Sequence, residues 1–119
     1  MSKRILVVDD EADVRSFLTA VLKKNGYETV TASDGRKALE IVKEQPVDLV
    51  TLDLMMPNQT GTDFYRKLVK DDKLSQIPVV IISGLPGRHL AVKEPVAVFD
   101  KPIDPDELMA AIERALGEG

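Results

Sequence analysis

The chain has 119 residues, 44% of them hydrophobic and 30% charged, with a formal net charge of −4 and no cysteine. This length suits one domain covering residues 1–119, and the composition excludes disulfides, thiolate zinc sites and an extensively disordered chain. The acidic balance argues against direct nucleic-acid binding. Because no apolar run approaches the roughly 20 residues that span a bilayer, we expect no membrane contact and a cytoplasmic protein.

The chain opens with an apolar run, residues 5–8, that is typical of a buried strand and ends at Asp9 and Asp10. An amphipathic helix follows, and we expect its apolar stripe to face the core; the stripe consists of Val14, Phe17, Leu18, Val21 and Leu22. Asn25 and Gly26 end this helix. Taken alone, Asp10 is predicted to be the helix N-cap, since that is the usual role of an aspartate after a strand.

Two further strand and helix pairs are predicted next. A short second strand covers residues 27–31, and a second helix follows a turn at Asp34 and stops before Pro46. The third strand, residues 48–53, ends at Asp53 and is apolar almost throughout, which is typical of a central strand. A third helix is indicated by the spacing of Phe64, Leu68 and Val69.

The fourth strand opens at Pro78, where a missing N–H is tolerated, and its apolar run ends at Ser83. Glycine and proline residues then leave room for about two helical turns at most, around residues 88–93. A fifth apolar run, residues 96–99, ends at Asp100 and Lys101. The helix between the fourth and fifth strands is therefore predicted to be short or irregular.

The last helix has the clearest signals. Asp104 is placed to cap it, Pro105 fits its first position, Glu107 completes a capping box and Gly117 ends it. Its inward-facing residues are Leu108, Ile112 and Leu116.

Alternating strands and helices predict a single α/β domain with a parallel sheet. The carboxyl ends of parallel strands meet at one edge of the sheet, where such folds bind their ligands. That edge would gather the polar strand ends, which are Asp9, Asp10, Asp53, Ser83 and Lys101.

This set of side chains suits phosphoryl chemistry. Clustered carboxylates without histidine or cysteine favour a hard cation, and Mg²⁺ binds through one or two carboxylates plus a substrate phosphate. Asp53 can then act as a nucleophile that forms an aspartyl phosphate. Lys101 would neutralise the phosphoryl oxygens, and the hydroxyl of Ser83 would donate a hydrogen bond to one of them.

At this point the sequence resembles the response-regulator receiver domain, the CheY-like family. The resemblance spans essentially the whole chain. It rests on an ordered set of motifs: Asp9 and Asp10 after the first strand, the run from Asp53 to Pro57 with Gly61 beyond, Ser83, and Lys101 with Pro102.

The resemblance implies a doubly wound, five-stranded parallel sheet in the order 2-1-3-4-5 with helices on both faces. It implies that a histidine kinase or phosphotransfer protein phosphorylates Asp53. Asp10, Asp53 and the backbone carbonyl of Met55 would hold Mg²⁺, with Asp9 helping through water. It also implies a cis bond before Pro102 and places Gly61 in the turn before the third helix.

Two departures from the family bear on output. Val98 stands three residues before Lys101, where the family commonly has an aromatic residue, and Phe99 should point to the opposite face of the sheet. The interval from Ser83 to Lys101 is 18 residues, about one helical turn shorter than is usual in the family. We therefore expect an unidentified downstream partner to bind a remodelled surface. The sole histidine, His89, lies in this interval and is interpreted as a surface residue.

Other functions remain open at this stage. A phosphohydrolase of the haloacid-dehalogenase type also uses an aspartate, Mg²⁺ and a lysine, but it has a second aspartate where this chain has Met55. A receiver-like module that only mediates protein contacts is a second alternative, and an FMN-binding domain is a third, although strand-end carboxylates would repel the FMN phosphate. The leading prediction is a phosphoacceptor and not an enzyme. Its cognate kinase and oligomeric state stay open, a homodimer included.

Overall fold

The computed structural model describes residues 3–54, 56–83, 97–100 and 103–117, with residues 59, 83, 97, 98 and 100 described by their backbone. Five strands form one parallel sheet in the order β2-β1-β3-β4-β5. The strands are β1 (Arg4–Val8), β2 (Glu28–Ala32), β3 (Leu49–Asp53), β4 (Val79–Ser83) and β5 (Ala97–Asp100). The predicted α/β fold with a parallel sheet is confirmed.

Four α-helices and two single turns of 3₁₀ helix accompany the strands within the described residues, and the last helix follows β5. The helices are α1 (Ala12–Lys24), α2 (Gly35–Glu44), α3 (Thr60–Lys70) and α4 (Pro105–Leu116), and the 3₁₀ turns are Pro57–Gln59 and Leu74–Gln76. In the described part of the chain, no helix combines the length and the apolar character needed to cross a bilayer.

The helix ends follow from local sequence. Gly26 adopts a φ of 90° directly after α1, a conformation that favours glycine. Asp34, predicted only as a turn, caps α2, since its carboxylate accepts a 2.9 Å hydrogen bond from the N–H of Lys37. Asp104 caps α4 through the N–H groups of Asp106 and Glu107, at 2.9 and 3.4 Å, as the sequence predicted.

Alternation along the strands divides the core into two layers. On one side of the sheet, Leu6, Val8, Val50 and Leu52 pack with α2 and α3. On the other side, Ile5, Val7 and Leu49 pack with α1 and α4, and Phe99 joins this layer as a partly buried side chain. The prediction of helices on both faces is therefore confirmed.

Two sequence expectations need correction. The second strand begins at Glu28 and not at Tyr27, because the N–H of Tyr27 bonds the carbonyl of Leu22 in the turn that ends α1. Phe17 is 41% exposed although it was assigned to the inward stripe of α1. Leu18 and Leu22 are buried against the sheet, and Val14 and Val21 pack beside them. The inner face of α1 is therefore narrower than the apolar pattern, and Phe17 lies outside it.

The predicted helix around residues 88–93 lies outside the described residues, as do His89 and the bond before Pro102.

Candidate functional site

Asp9 and Asp53 lie side by side at the carboxyl edge of the sheet. β1 and β3 are neighbours, with Val8 opposite Leu52, so the residues that follow and end these strands are adjacent. Both aspartates are buried, with 1% and 2% of their surface exposed. The sheet topology therefore brings together the two carboxylates that the sequence placed at strand ends.

Two exposed acidic residues complete the cluster. Asp9, Asp10, Glu11 and Asp53 each offer one carboxylate oxygen, and these four atoms all lie within 4.8 Å of one another. The grouping of Asp9, Asp10 and Asp53 was predicted, whereas Glu11 was missed. Its position directly after the acidic pair was the signal that pointed to it, but the sequence indicated only the start of a helix there.

Three hydrogen bonds hold Asp9 in place. Its N–H donates to the carbonyl of Ala32 at 3.2 Å, and its own carbonyl accepts a 2.7 Å hydrogen bond from Nη1 of Arg15. Its Oδ1 accepts from the N–H of Glu11 at 2.9 Å. The turn between β1 and α1 is thus held in the shape that presents the acidic pair.

The alternative role of Asp10 as the cap of α1, expected of this residue taken alone, is wrong. The N-cap position is Glu11, which has an extended backbone with φ −92° and ψ 118°, and no side chain caps the helix from that position. The carboxylate of Asp9 instead bonds the N–H of Glu11, just before the helix begins. Asp10 therefore contributes its carboxylate to the acidic cluster and not to a helix cap.

Gly61 lets α3 approach the end of β3. A Cβ atom built on Gly61 would lie 2.5 Å from the carbonyl oxygen of Asp53, closer than real Cβ atoms come, and 3.1 Å from Cα of Leu54, which is a tight contact. Gly61 lies inside the first turn of α3 and not in the turn before it, which corrects the expectation from the resemblance. It is required for the close approach of two backbones.

A cavity of about 260 Å³ opens beside the cluster. Its lining includes Asp10, Ser33, Asp34, Arg36 and Asn58. Asn58 adopts a φ of 60°, a left-handed conformation that asparagine tolerates better than most residues. The cavity therefore reaches Asp10 from the side of α2.

The structure places only the backbone of Ser83. Asp53 of β3 pairs with Ile82 of β4, and Ser83 is the next residue along β4. Met55, Lys101 and Pro102 lie outside the described residues, and their predicted roles stay predictions.

The donor set of the cluster fits a hard divalent cation. All four residues offer carboxylate oxygen, the ligand that Mg²⁺ and Ca²⁺ prefer. The mutual repulsion of carboxylates packed this closely also favours a bound cation. The arrangement can therefore hold a metal ion next to the buried oxygen of Asp53.

Comparison with known sequences and structures gives consistent matches. The family description "Response regulator receiver domain" matches residues 5–113. Protein Rrf1 of Nitratidesulfovibrio vulgaris is 36% identical over 116 residues, which cover 98% of this chain and 84% of that protein. The DNA-binding response regulator MtrA of Mycobacterium tuberculosis is 38% identical over 120 residues.

The match to MtrA covers 98% of this chain but 51% of that protein, so the chain spans about half the length of this relative. Among solved structures, the Vibrio cholerae chemotaxis protein CheY4 superimposes with a TM-score of 0.87 at 26% identity. That superposition covers 98% of this chain and all of CheY4.

Proposed function

The chain belongs to the response regulator receiver domain family of two-component systems, and on this premise we propose that it accepts a phosphoryl group on Asp53. The donor would be a histidine kinase or a phosphotransfer protein. Transfer would depend on Mg²⁺ and would switch a protein-interaction surface. The domain would cover residues 1–119.

The burial of Asp53 within the acidic cluster is the observation that carries the proposal. Asp53 is 2% exposed, and an oxygen of its carboxylate lies within 4.8 Å of the ligand atoms of Asp9 and Asp10. A carboxylate that attacks phosphorus needs nearby positive charge to offset the anionic donor. An oxygen-rich pocket around the nucleophile is suited to holding that charge as a metal ion.

Each residue at the edge would have a separate role. Asp10, Asp53 and the backbone carbonyl of Met55 would coordinate the metal, and Asp9 would act through a water molecule. Bound Mg²⁺ would neutralise charge on the phosphoryl oxygens. Ser83 would donate a hydrogen bond to one of these oxygens, and Lys101 would contact another.

The output of the switch would differ from the family pattern. Phe99 packs in the layer formed with α1 and α4, so the aromatic side chain of β5 is directed into the core on that side. The position of Val98, where the family commonly has an aromatic residue, would then contribute no large ring to the switch. We therefore propose a downstream protein that recognises a surface remodelled from the family pattern.

Turnover of metabolites is not part of this proposal. The chain would be a phosphoacceptor whose only chemistry is its own phosphorylation and dephosphorylation. It would act in the cytoplasm without direct contact to nucleic acid or membrane, and formation of a homodimer remains compatible with the proposal.

Incubation with Mg²⁺ and a small phosphodonor, followed by intact-mass measurement, tests the acceptor. The wild type should gain the mass of one phosphoryl group, Asp53→Asn should gain none, and the control Asp72→Asn should behave as the wild type because Asp72 lies on the exposed surface outside the cluster.

Three results would contradict the proposal. An adduct that persists in Asp53→Asn would place the acceptor elsewhere. A wild type that gains no mass would favour a module that only mediates contacts. Sustained hydrolysis of free phosphate esters would favour a phosphohydrolase.

A further inference from the structure

Glu11 adds a fourth carboxylate to the carboxyl edge of the sheet. The family resemblance involves only three there, those of Asp9, Asp10 and Asp53. We propose that Glu11 is an outer carboxylate of the metal site that tightens binding of divalent cations to the unphosphorylated protein and weakens the approach of anionic phosphodonors. This inference rests on the proposed function, because it concerns the same site.

The backbone directs Glu11 toward the cluster. Its N–H is bonded to Oδ1 of Asp9 at 2.9 Å, and its carbonyl accepts the helical hydrogen bond from the N–H of Arg15 at 3.1 Å. Glu11 is therefore held between a metal-site carboxylate and the first turn of α1. Its side chain does not cap the helix, and its carboxylate oxygen lies within 4.8 Å of those of Asp9, Asp10 and Asp53.

Burial separates the roles within the cluster. Asp9 and Asp53 are buried at the floor of the site, whereas Asp10 and Glu11 are exposed at its mouth. A carboxylate at the mouth contributes attraction for an entering cation and an acceptor for its metal-bound water. Residues that act through bound water typically change metal affinity by about tenfold or more when they are replaced.

The same charge opposes an entering anion. A phosphodonor carries negative charge past Glu11 on its way to Asp53, and like charges at this distance repel each other. Removal of the charge should therefore have opposite effects on the two ligands. General damage to the site would instead weaken both.

Glu11→Gln tests the inference, since it keeps the size of the side chain and removes its charge. Asp13→Asn is the matched control, because Asp13 is an exposed acidic residue in the first turn of α1 and lies outside the cluster. Both variants change net charge by the same amount. Mg²⁺ affinity is measured by calorimetric titration of the unphosphorylated proteins, and phosphorylation by a small phosphodonor is followed separately at saturating Mg²⁺.

We expect Glu11→Gln to weaken Mg²⁺ binding about tenfold, and Asp13→Asn to change it by less than about twofold because a solvent-screened charge acts weakly at longer range. At saturating Mg²⁺, Glu11→Gln should need less phosphodonor for half-maximal rate. Unchanged Mg²⁺ affinity in Glu11→Gln would overturn the inference, as would an equal loss in Asp13→Asn or a weakening of both ligands.

The wild type separates this inference from the proposed function. If the wild type is phosphorylated on Asp53 but Glu11→Gln binds Mg²⁺ equally well, only the role of Glu11 fails. If the wild type binds Mg²⁺ through Glu11 but gains no phosphoryl group, the phosphoacceptor proposal fails and the metal-site inference stands. A wild type that binds no Mg²⁺ contradicts both.

Discussion

Nη1 of Arg15 donates a 2.7 Å hydrogen bond to the backbone carbonyl of Asp9, which ties the first turns of α1 to the buried end of β1. Replacement of Arg15 by methionine removes this bond while keeping a long side chain. We expect a loss of about 1–2 kcal/mol in the free energy of unfolding, because a buried carbonyl loses a charged donor. Weaker Mg²⁺ binding should accompany it, since Asp9 belongs to the acidic cluster.

The control for this prediction is Arg114→Met, which also replaces an arginine by methionine but at an exposed position on α4. Arg15→Lys should recover part of the Mg²⁺ affinity if a donor at this position matters. Equal Mg²⁺ affinities in Arg15→Met and wild type would show that Asp9 is positioned without Arg15.

Gly61→Ala should damage both stability and phosphorylation. Its Cβ would lie 2.5 Å from the carbonyl oxygen of Asp53, so α3 or the end of β3 must shift. Overpacking of this kind typically costs about 1–3 kcal/mol. Denaturant unfolding and the rate of phosphorylation on Asp53 measure the two effects.

Gly26→Ala is the contrasting variant, because a Cβ on Gly26 meets nothing within 4 Å but must adopt a φ of 90°. It should lose roughly 1 kcal/mol of stability through backbone strain alone and retain phosphorylation. A Gly61→Ala protein that phosphorylates at the wild-type rate would argue against a close fit of α3 on the acceptor strand.

Much of this site was predictable because it depends on chain order and strand period. Apolar runs that end at Asp9 and Asp53 indicate strands, and the parallel arrangement then forces their carboxyl ends to one edge. Asp104 and Gly117 likewise have signals confined to a few neighbouring residues, and the structure confirms that they begin and end α4. Local sequence patterns were sufficient to predict features that are determined by a few neighbouring residues.

The remaining features depend on tertiary packing. The exposure of Phe17 is set by how much of α1 the sheet covers, which an apolar stripe does not specify. Gly61 is required by a backbone from another element. Glu11 lies in the acidic cluster, and its N–H donates a hydrogen bond to the carboxylate of Asp9, a contact that the sequence alone does not specify.

Adjacent positions on α1 should differ sharply in their contribution to stability. Leu18 is 1% exposed and belongs to the core layer beneath the sheet, whereas Phe17 is 41% exposed. Leu18→Ala should cost about 2–5 kcal/mol, and Phe17→Ala, despite removing more atoms, should cost less than about 1.5 kcal/mol. Denaturant unfolding of both variants checks the expectation, and equal losses would show that Phe17 is packed more closely than its exposure indicates.

Thr51 carries a buried hydroxyl in the central strand. The residue is 1% exposed and pairs with Val7 and Val80 on the flanking strands. In the part of the chain that the structure describes, its Oγ1 has no hydrogen-bond partner. Thr51→Val keeps the shape and should raise the free energy of unfolding by about 1 kcal/mol, since it removes an unsatisfied polar atom.

Thr51→Ser is the matched control, because it keeps the hydroxyl and removes the buried methyl group. It should destabilise by about 1 kcal/mol. A loss of stability in Thr51→Val would show that the hydroxyl has a hydrogen-bond partner in solution.

Asp71 should make the stability of the protein depend on pH. Its Oδ1 accepts hydrogen bonds from the N–H groups of Leu74 and Lys73, at 3.0 and 2.9 Å, at the start of the 3₁₀ turn Leu74–Gln76. These two hydrogen bonds lower the pKa of the Asp71 carboxyl from its ordinary value of 3.8, and the bond from Leu74 has the larger effect. The ionised carboxylate is therefore favoured in the folded protein.

A lowered folded-state pKa means that Asp71 contributes stability above the unfolded value of 3.8 and loses it as the pH falls through the folded value. The wild type should be more stable than Asp71→Asn at about pH 6, and the difference should shrink as the pH falls below about 4. Urea unfolding across that range measures it. Asp72→Asn, on the adjacent exposed residue, is the control, and a difference between wild type and Asp71→Asn that stays constant with pH would contradict the assigned cause.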